Sequence, residues 1–204
     1  MDNGCRWNMK KPFSQSCENN KHAILSVLTG EFIQPQRVLE IGTGTAQHAV
    51  YFAAKLPHLT WQTSDLACNH AGIHSWLDSV SLANLQRPLC LDLNQSWPIE
   101  QVAGIFTANT LHIVSWPLVK NFFRGVGEYL SSGGKLCIYG PFNYQGQFTS
   151  QSNADFDVWL KNIDVERGIR NIEAINKLAI EQGLTLMHDH AMPANNRLLV
   201  FVKS

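Results

Sequence analysis

The stretch from Arg37 to Phe52, RVLEIGTGTAQHAVYF, constrains this chain more than any other. A short apolar run, Val38 to Ile41, leads into a turn with glycines at Gly42 and Gly44. Behind the turn Ala46, Ala49, Val50 and Ala53 recur at i, i+3, i+4 and i+7, the spacing of one helix face. Strand, glycine turn and helix in succession open a site for a nucleotide-like ligand in an α/β fold, because glycine turns sharply and leaves no Cβ against the ligand. Asp65 closes the next apolar run, Leu59 to Ser64. A carboxylate about 20 residues beyond the turn is placed to accept hydrogen bonds from ribose hydroxyls.

The same alternation continues along the chain. Leu59 to Ser64 reads as a second strand, His70 to Leu85 as a helix, Leu89 to Leu91 as a third strand closed by Asp92, and Val102 to Ala108 as a fourth. Pro117 to Leu130 reads as a helix with proline in its first turn. Gly133 and Gly134 end that segment, and Lys135 to Tyr139 is a fifth strand broken by Gly140 and Pro141. Phe142 to Asn153 reads as a polar loop near the site. A short helix over Ala154 to Asn162, capped by Ser152 or Asn153, and a longer one marked by Ile169, Ile172, Ile175 and Ala179 come next. Leu184 to Asp189 and Arg197 to Val202 read as a final antiparallel pair. The expected fold is α/β, a Rossmann-like, doubly wound, seven-stranded and mostly parallel sheet with a terminal antiparallel strand pair. We read residues 1–204 as one domain, with 1–30 as an N-terminal helical extension or lid. Ligands of such sheets bind beyond the carboxyl ends of the strands. That rule directs attention to Glu40 to Gly44, Asp65, Asp92, Asn109 to His112, Tyr139 to Phe142, Asn195 and Asn196.

Bulk properties exclude several classes. Sixteen basic residues balance sixteen acidic ones, which argues against a strong pull toward nucleic acid. No run approaches a membrane span, and the start, MDNGCRWNMKK, lacks the apolar core of a signal peptide. The five cysteines, Cys5, Cys17, Cys68, Cys90 and Cys137, are scattered and odd in number. They read as reduced cytoplasmic thiols, not a disulfide frame or zinc site. His188 and His190 alternate along the sixth strand without an apparent third ligand, so no metal is expected.

The glycines alone leave the ligand open. A dehydrogenase pattern would place a third glycine at Gln47, and a methyltransferase pattern would place it at Ala46. Glu40, two residues before the first glycine, favours the methyltransferase, as does Asp92 at the end of the third strand, where an acid can reach an adenine amine. The chain also shows no second domain for hydride chemistry. It resembles the class I S-adenosylmethionine-dependent methyltransferases, and within them the methyltransferase-like protein 26 family and its bacterial relatives. The likeness runs through CENNKHAIL (17–25), the segments 38–52 and 56–65, LCLDLNQSWP (89–98), ANTLHIVSW (108–116), YGPF (139–142), SQSNADFDVWL (150–160) and MPANN (192–196). The chain departs from that family at Ala46, usually glycine, at Asn19, usually arginine, and at Arg167, usually tryptophan. Ala46 is harmless at a negative φ and intrusive at a positive one.

The resemblance implies S-adenosylmethionine as cofactor and a small-molecule methyl acceptor. The expected cofactor residues are Asn20, Glu40, Gly42, Thr43, Gly44, Asp65, Leu66, Asp92, Leu93 and Asn109. Asp65 would hold the ribose diol and Asp92 with Leu93 the adenine. Glu40 either bonds the backbone of the turn or reaches the cofactor amino group. His112 either accepts the acceptor's proton or shapes the pocket. His48 and His58 read as surface or cap residues. Tyr139, Phe142, Asn195 and Asn196 are candidates for the acceptor wall. Phe13, Trp97 and Trp116, with Phe142, either stack on a ligand or pack in the core. Two other functions stay open, a binding protein that keeps the fold without turnover and a nicotinamide-dependent oxidoreductase, the latter disfavoured by Gln47.

Overall fold

The computed structural model describes residues 11–34 and 36–204. Cys5 and the first ten residues of the expected extension lie outside them. The chain runs α1 (Gln15–Glu31), β1 (Arg37–Ile41), α2 (Gln47–Lys55), β2 (Thr60–Asp65), α3 (His70–Leu77), β3 (Leu85–Cys90), β4 (Val102–Ala108), α4 (Trp116–Tyr129) and β5 (Leu130–Gly140). It continues through β6 (Phe142–Asn143), α5 (Gln151–Ile163), β7 (Arg170–Asn171), α6 (Ile172–Ile180), β8 (Leu184–Met192) and β9 (Asn196–Lys203).

Seven strands form one sheet in the order β3-β2-β1-β4-β5-β9-β8. The first five are parallel, and β9 runs antiparallel to both β5 and β8. The sheet is covered on both faces, which is why β1 and β4 read as nearly unbroken apolar runs. One core cluster joins Val119, Phe122 and Phe123 of α4 and Ile175 of α6 to Leu39, Ile105 and Leu136. The other joins Ile24 and Leu28 of α1, Phe52 of α2 and Ile73 of α3 to Val38, Trp61 and Phe106. The chain reverses its direction of travel across the sheet between β1 and β4, so their carboxyl ends splay apart and leave a crevice there.

Several boundaries differ from the sequence reading, each for a local reason. Helix α3 stops at Leu77, because the chain then turns toward Asn84. The Asn84 amide donates to the Ala53 and Leu59 carbonyls and fixes the entry to β3. Strand β3 extends through Pro88 instead of beginning after it, since β3 is the sheet edge and an edge tolerates the missing donor. Strand β5 begins at Leu130, which pairs with Val102, while Lys135 pairs with Gly104, so residues 131–134 loop out. Helix α5 begins at Gln151, its cap being Ser150, whose Oγ accepts the Asn153 N–H. Helix α6 is the shorter of the last two, starting at Ile172, because Ile169 N–H is taken by Asp157 Oδ1 at 2.7 Å. Arg170 and Asn171 pair with Phe142 and Asn143, which gives the expected loop a short strand. Among the described residues no helix is long and apolar enough to cross a membrane.

Candidate functional site

Two adjoining cavities lie beyond the carboxyl ends of β1, β2, β4 and β5. The first, about 420 Å³, is lined by the glycine turn, Glu40, Asp65, Leu66, Asp92, Leu93 and Asn109, and also by Ser14 and Cys17 of the N-terminal segment. The second, about 570 Å³, is lined by Asn20, His112, Tyr139, Asn153, Phe156, Trp159 and Asn196 among others. Ser14, Asn109 and Ile113 line both. Each volume falls within the range of small-molecule sites.

The turn is held open by its backbone. Gly42 and Gly44 take φ of 72° and 60°, where a side chain is strained. A Cβ at Gly42 would lie 2.8 Å from Thr110 Oγ1, whereas at Gly44 nothing is closer than 3.9 Å. The Gly42 and Thr43 amides both donate to the Ser64 carbonyl, tying β1 to β2. Asp65 completes the tie. Its Oδ2 accepts the Gly44 N–H at 2.7 Å, and its Oδ1 accepts the Leu66 N–H and the Asn69 amide. A carboxylate has about four lone-pair sites, so three donors leave capacity for one more without rearrangement. Asp92 is less committed. Its Oδ1 accepts the Asn94 N–H, and its Oδ2 has no partner among the described residues.

Glu40 is 2 % exposed at the floor of the first cavity. Its Oε2 accepts from Trp61 Nε1 at 3.0 Å and Thr43 Oγ1 at 3.3 Å. Burial outweighs these bonds and pushes its carboxyl up to about 7. Ala46 has φ 66°, the condition under which its methyl was expected to intrude. The methyl packs in the core cluster beneath α2 instead and lines neither cavity. The strained conformation still costs on the order of 1 kcal/mol. Asn109 also has a positive φ, 58°, which asparagine tolerates, and its N–H donates to the Tyr139 carbonyl.

Gln47 and His48 do more than surface residues. Gln47 is 3 % exposed and clasps the start of α1: its Oε1 accepts the Ser14 N–H at 2.6 Å and its amide donates to Glu18 Oε1 at 2.8 Å. His48, expected at the surface, is 5 % exposed with Nε2 2.6 Å from Asn20 Oδ1. These bonds carry Ser14 and Cys17 over the first cavity and Asn20 over the second. The signal was in the sequence, as polar residues at positions 47 and 48 on a helix start that otherwise reads small and apolar. His58 bonds the Phe32 carbonyl at 2.7 Å.

His112 is 5 % exposed, and no described residue hydrogen-bonds its ring nitrogens. Burial, helped by the Arg170 charge, pulls it down to about 4, so it is neutral near pH 7. Burial also raises Tyr139, which is 3 % exposed.

The acceptor wall expected from sequence needs correction. Phe142 packs in the core and lines neither cavity, since it follows β5 into the sheet-covered interior. Asn195 is not in the lining, but its carbonyl accepts from the Asn153 amide. Trp97 is buried against Tyr129, Trp116 lies under the Arg170 guanidinium, and Phe13 is exposed outside both cavities. The aromatic residues that line the second cavity are Tyr139, Phe156 and Trp159, of which the last two had read only as one face of a helix.

His188 and His190 have a carboxylate neighbour that sequence spacing hid. Glu31 Oε1 lies 3.0 Å from His188 Nδ1 and 3.8 Å from His190 Nε2. Its other oxygen accepts from Lys135 Nζ at 2.8 Å, and that ammonium opposes a cation at this place.

The fold is that of class I methyltransferases. An O-methyltransferase family protein from Burkholderia thailandensis superimposes with a TM-score of 0.80 at 15 % identity, over 90 % of this chain and 56 % of that one. An O-methyltransferase family 2 protein from Planctomyces limnophilus, in complex with apigenin, gives 0.80 at 14 %, over 93 % and 58 %. Human N-acetylserotonin methyltransferase in complex with SAM gives 0.78 at 12 %, over 93 % and 53 %. The chain thus spans a little over half the length of these structures. Residues 11–203 match the family described as a protein of unknown function, DUF938, and the chain belongs to that family.

Proposed function

We propose that this protein transfers a methyl group from S-adenosylmethionine to a small-molecule acceptor, and that it falls within the methyltransferase-like protein 26 group that its motifs resemble. The observation that carries the reading is one cavity, at the switch between β1 and β4, whose lining joins a glycine turn to two carboxylates at or just beyond the ends of β2 and β3. The residues suit the cofactor. Asp65 would accept from a ribose hydroxyl while holding Gly44, Asp92 Oδ2 would accept from the adenine amine, and exposed Leu66 and Ile113 offer apolar surface to a flat ring. Glu40 offers a buried carboxyl to an amino group, Asn109 lines both cavities, and Asn20, expected at the cofactor, lines the second cavity only. When bound, the cofactor supplies a methyl on an electrophilic sulfonium, which an acceptor lone pair takes as the carbon–sulfur pair returns to sulfur.

The protein's part is alignment, which can supply roughly 7–11 kcal/mol. The Ser14–Cys17 turn, clasped by Gln47, covers the first cavity and excludes water; this is the lid role of the N-terminal extension. His112, held neutral, accepts a hydrogen bond from an acceptor hydroxyl and orients its lone pair. A conjugate acid near 4 makes it a weak base at pH 7, so the proton passes on to water. We place the protein in the cytoplasm.

Incubation with methyl-labelled S-adenosylmethionine and a small-molecule cell extract tests the reading. Label should appear in an extract component. Tight S-adenosylhomocysteine binding with no transfer would instead favour a binding protein without turnover, and binding of NADH in its place would favour an oxidoreductase.

A further inference from the structure

The second cavity has a chemistry of its own. Among the described residues that line it, none is lysine, arginine, aspartate or glutamate. Its polar groups are amides, hydroxyls and His112, which burial keeps uncharged at neutral pH. A charged ligand would leave water there and meet no counter-charge, which is costly. The lining also sets aromatic faces beside buried polar groups. Phe156 and Trp159 stack with centroids 5.7 Å apart and planes 15° apart, and Trp159 is left 56 % exposed. An indole held flat and wet presents a ready face for another ring.

Beside these rings two buried groups offer acceptors: His112 packs edge-on against Phe156, ring centroids 5.4 Å apart, and Asn153 stands one helical turn before Phe156 on α5. Asn153 is 6 % exposed, and its amide donates to Thr149 Oγ1 at 2.9 Å and to the Asn195 carbonyl at 3.1 Å. With both hydrogens committed, only its Oδ1 remains to meet a donor. His112 is equally enclosed and has a ring nitrogen to offer.

We propose that the second cavity takes an uncharged, planar aromatic hydroxy compound as the methyl acceptor, its ring against Phe156 and Trp159 and its hydroxyl toward His112. The assignment rests on the methyl-transfer reading, because the cavity is contiguous with the first only through Ser14, Asn109 and Ile113. The ligand class itself follows from the lining alone.

Two probes that differ by one carboxylate test it, 2-naphthol and 3-hydroxy-2-naphthoic acid, titrated calorimetrically into the full chain with and without S-adenosylhomocysteine. 2-Naphthol should bind saturably and the carboxylate at least tenfold more weakly. Trp159→Ala, at an exposed position, should weaken 2-naphthol about tenfold, with S-adenosylhomocysteine titration as the control for an intact fold. Equal or tighter binding of the carboxylate, no binding of 2-naphthol, or unchanged affinity in the variant would overturn the proposal. If S-adenosylhomocysteine binds and 2-naphthol does not, the acceptor assignment fails alone. If 2-naphthol is discriminated as stated and S-adenosylhomocysteine does not bind, the methyl-transfer reading fails and the ligand class stands.

Discussion

Asp65 Oδ2 accepts the Gly44 N–H at 2.7 Å, across 21 residues of sequence. The carboxylate at the end of β2 thereby sets the shape of the glycine turn behind β1, and the proposed ribose contact would give the same side chain a binding role.

Asp65→Ala should therefore lose on two counts. Removing a carboxylate that accepts from a ribose hydroxyl costs about 1.5–3 kcal/mol, a ten- to hundredfold loss of S-adenosylhomocysteine affinity. Leaving the Gly44 and Leu66 amides without their acceptor should also lower stability by about 1–3 kcal/mol. Calorimetry and urea unfolding on the same preparation separate the two. Full affinity in a destabilised variant would confine Asp65 to the turn.

Gln47→Ala should release the start of α1. The side chain accepts from Ser14 and donates to Glu18 within a part-buried site. Two such bonds are worth about 1–3 kcal/mol together. Hydrogen exchange should quicken at residues 14–18 and stay slow at Ile24 and Leu28, which remain buried in the core. Unchanged exchange at 14–18 would show that the clasp does not hold the lid.

Ala46→Gly should be close to neutral. The substitution relieves about 1–2 kcal/mol of left-handed strain and loses about 0.8 kcal/mol of buried methyl, while glycine adds entropy to the unfolded chain. Urea unfolding should shift by less than about 1 kcal/mol. A larger loss would mean that the methyl's packing outweighs its strain.

Stability should climb with pH and level off near neutrality. His48 and His112 are pulled from 6.5 to about 4 by burial, so the unfolded chain binds more protons there and their contribution is lost as pH falls from 6.5 toward 4. Glu40 is raised from 4.5 to about 7, and its contribution is lost as pH rises from 4.5 through 7. Two histidines against one carboxyl leave a net difference of about one proton between pH 5 and 6, or about 1.4 kcal/mol per pH unit. Glu40→Gln removes the opposing member and should roughly double that slope. Equal slopes in the two proteins would show that Glu40 ionises in the fold at its ordinary value.

The strand–turn–helix frame was legible because β1 and β4 are covered on both faces, and their apolar runs follow from that burial alone. Glu40, Asp65, Asp92 and Asn109 were legible as cavity-lining residues because each stands at or just beyond the carboxyl end of a strand, and those ends converge in this architecture. The residues that escaped were those whose role depends on a distant partner. Gln47 and His48 gained meaning only from Ser14 and Asn20 on α1, and Glu31 met His188 only when the helix end reached the sheet edge. Phe142 was misplaced because a strand-end address does not say which way a side chain faces; Phe156 and Trp159 were passed over because helical periodicity cannot distinguish a core stripe from a cavity wall.

The first cavity is proposed to bind an adenosyl group. Isothermal titration of the protein with S-adenosylhomocysteine tests it most directly. Saturable binding at one site per chain is expected, weakened ten- to hundredfold by Asp65→Ala. A folded protein that gives no binding heat, and whose unfolding midpoint does not move with added S-adenosylhomocysteine, would contradict it.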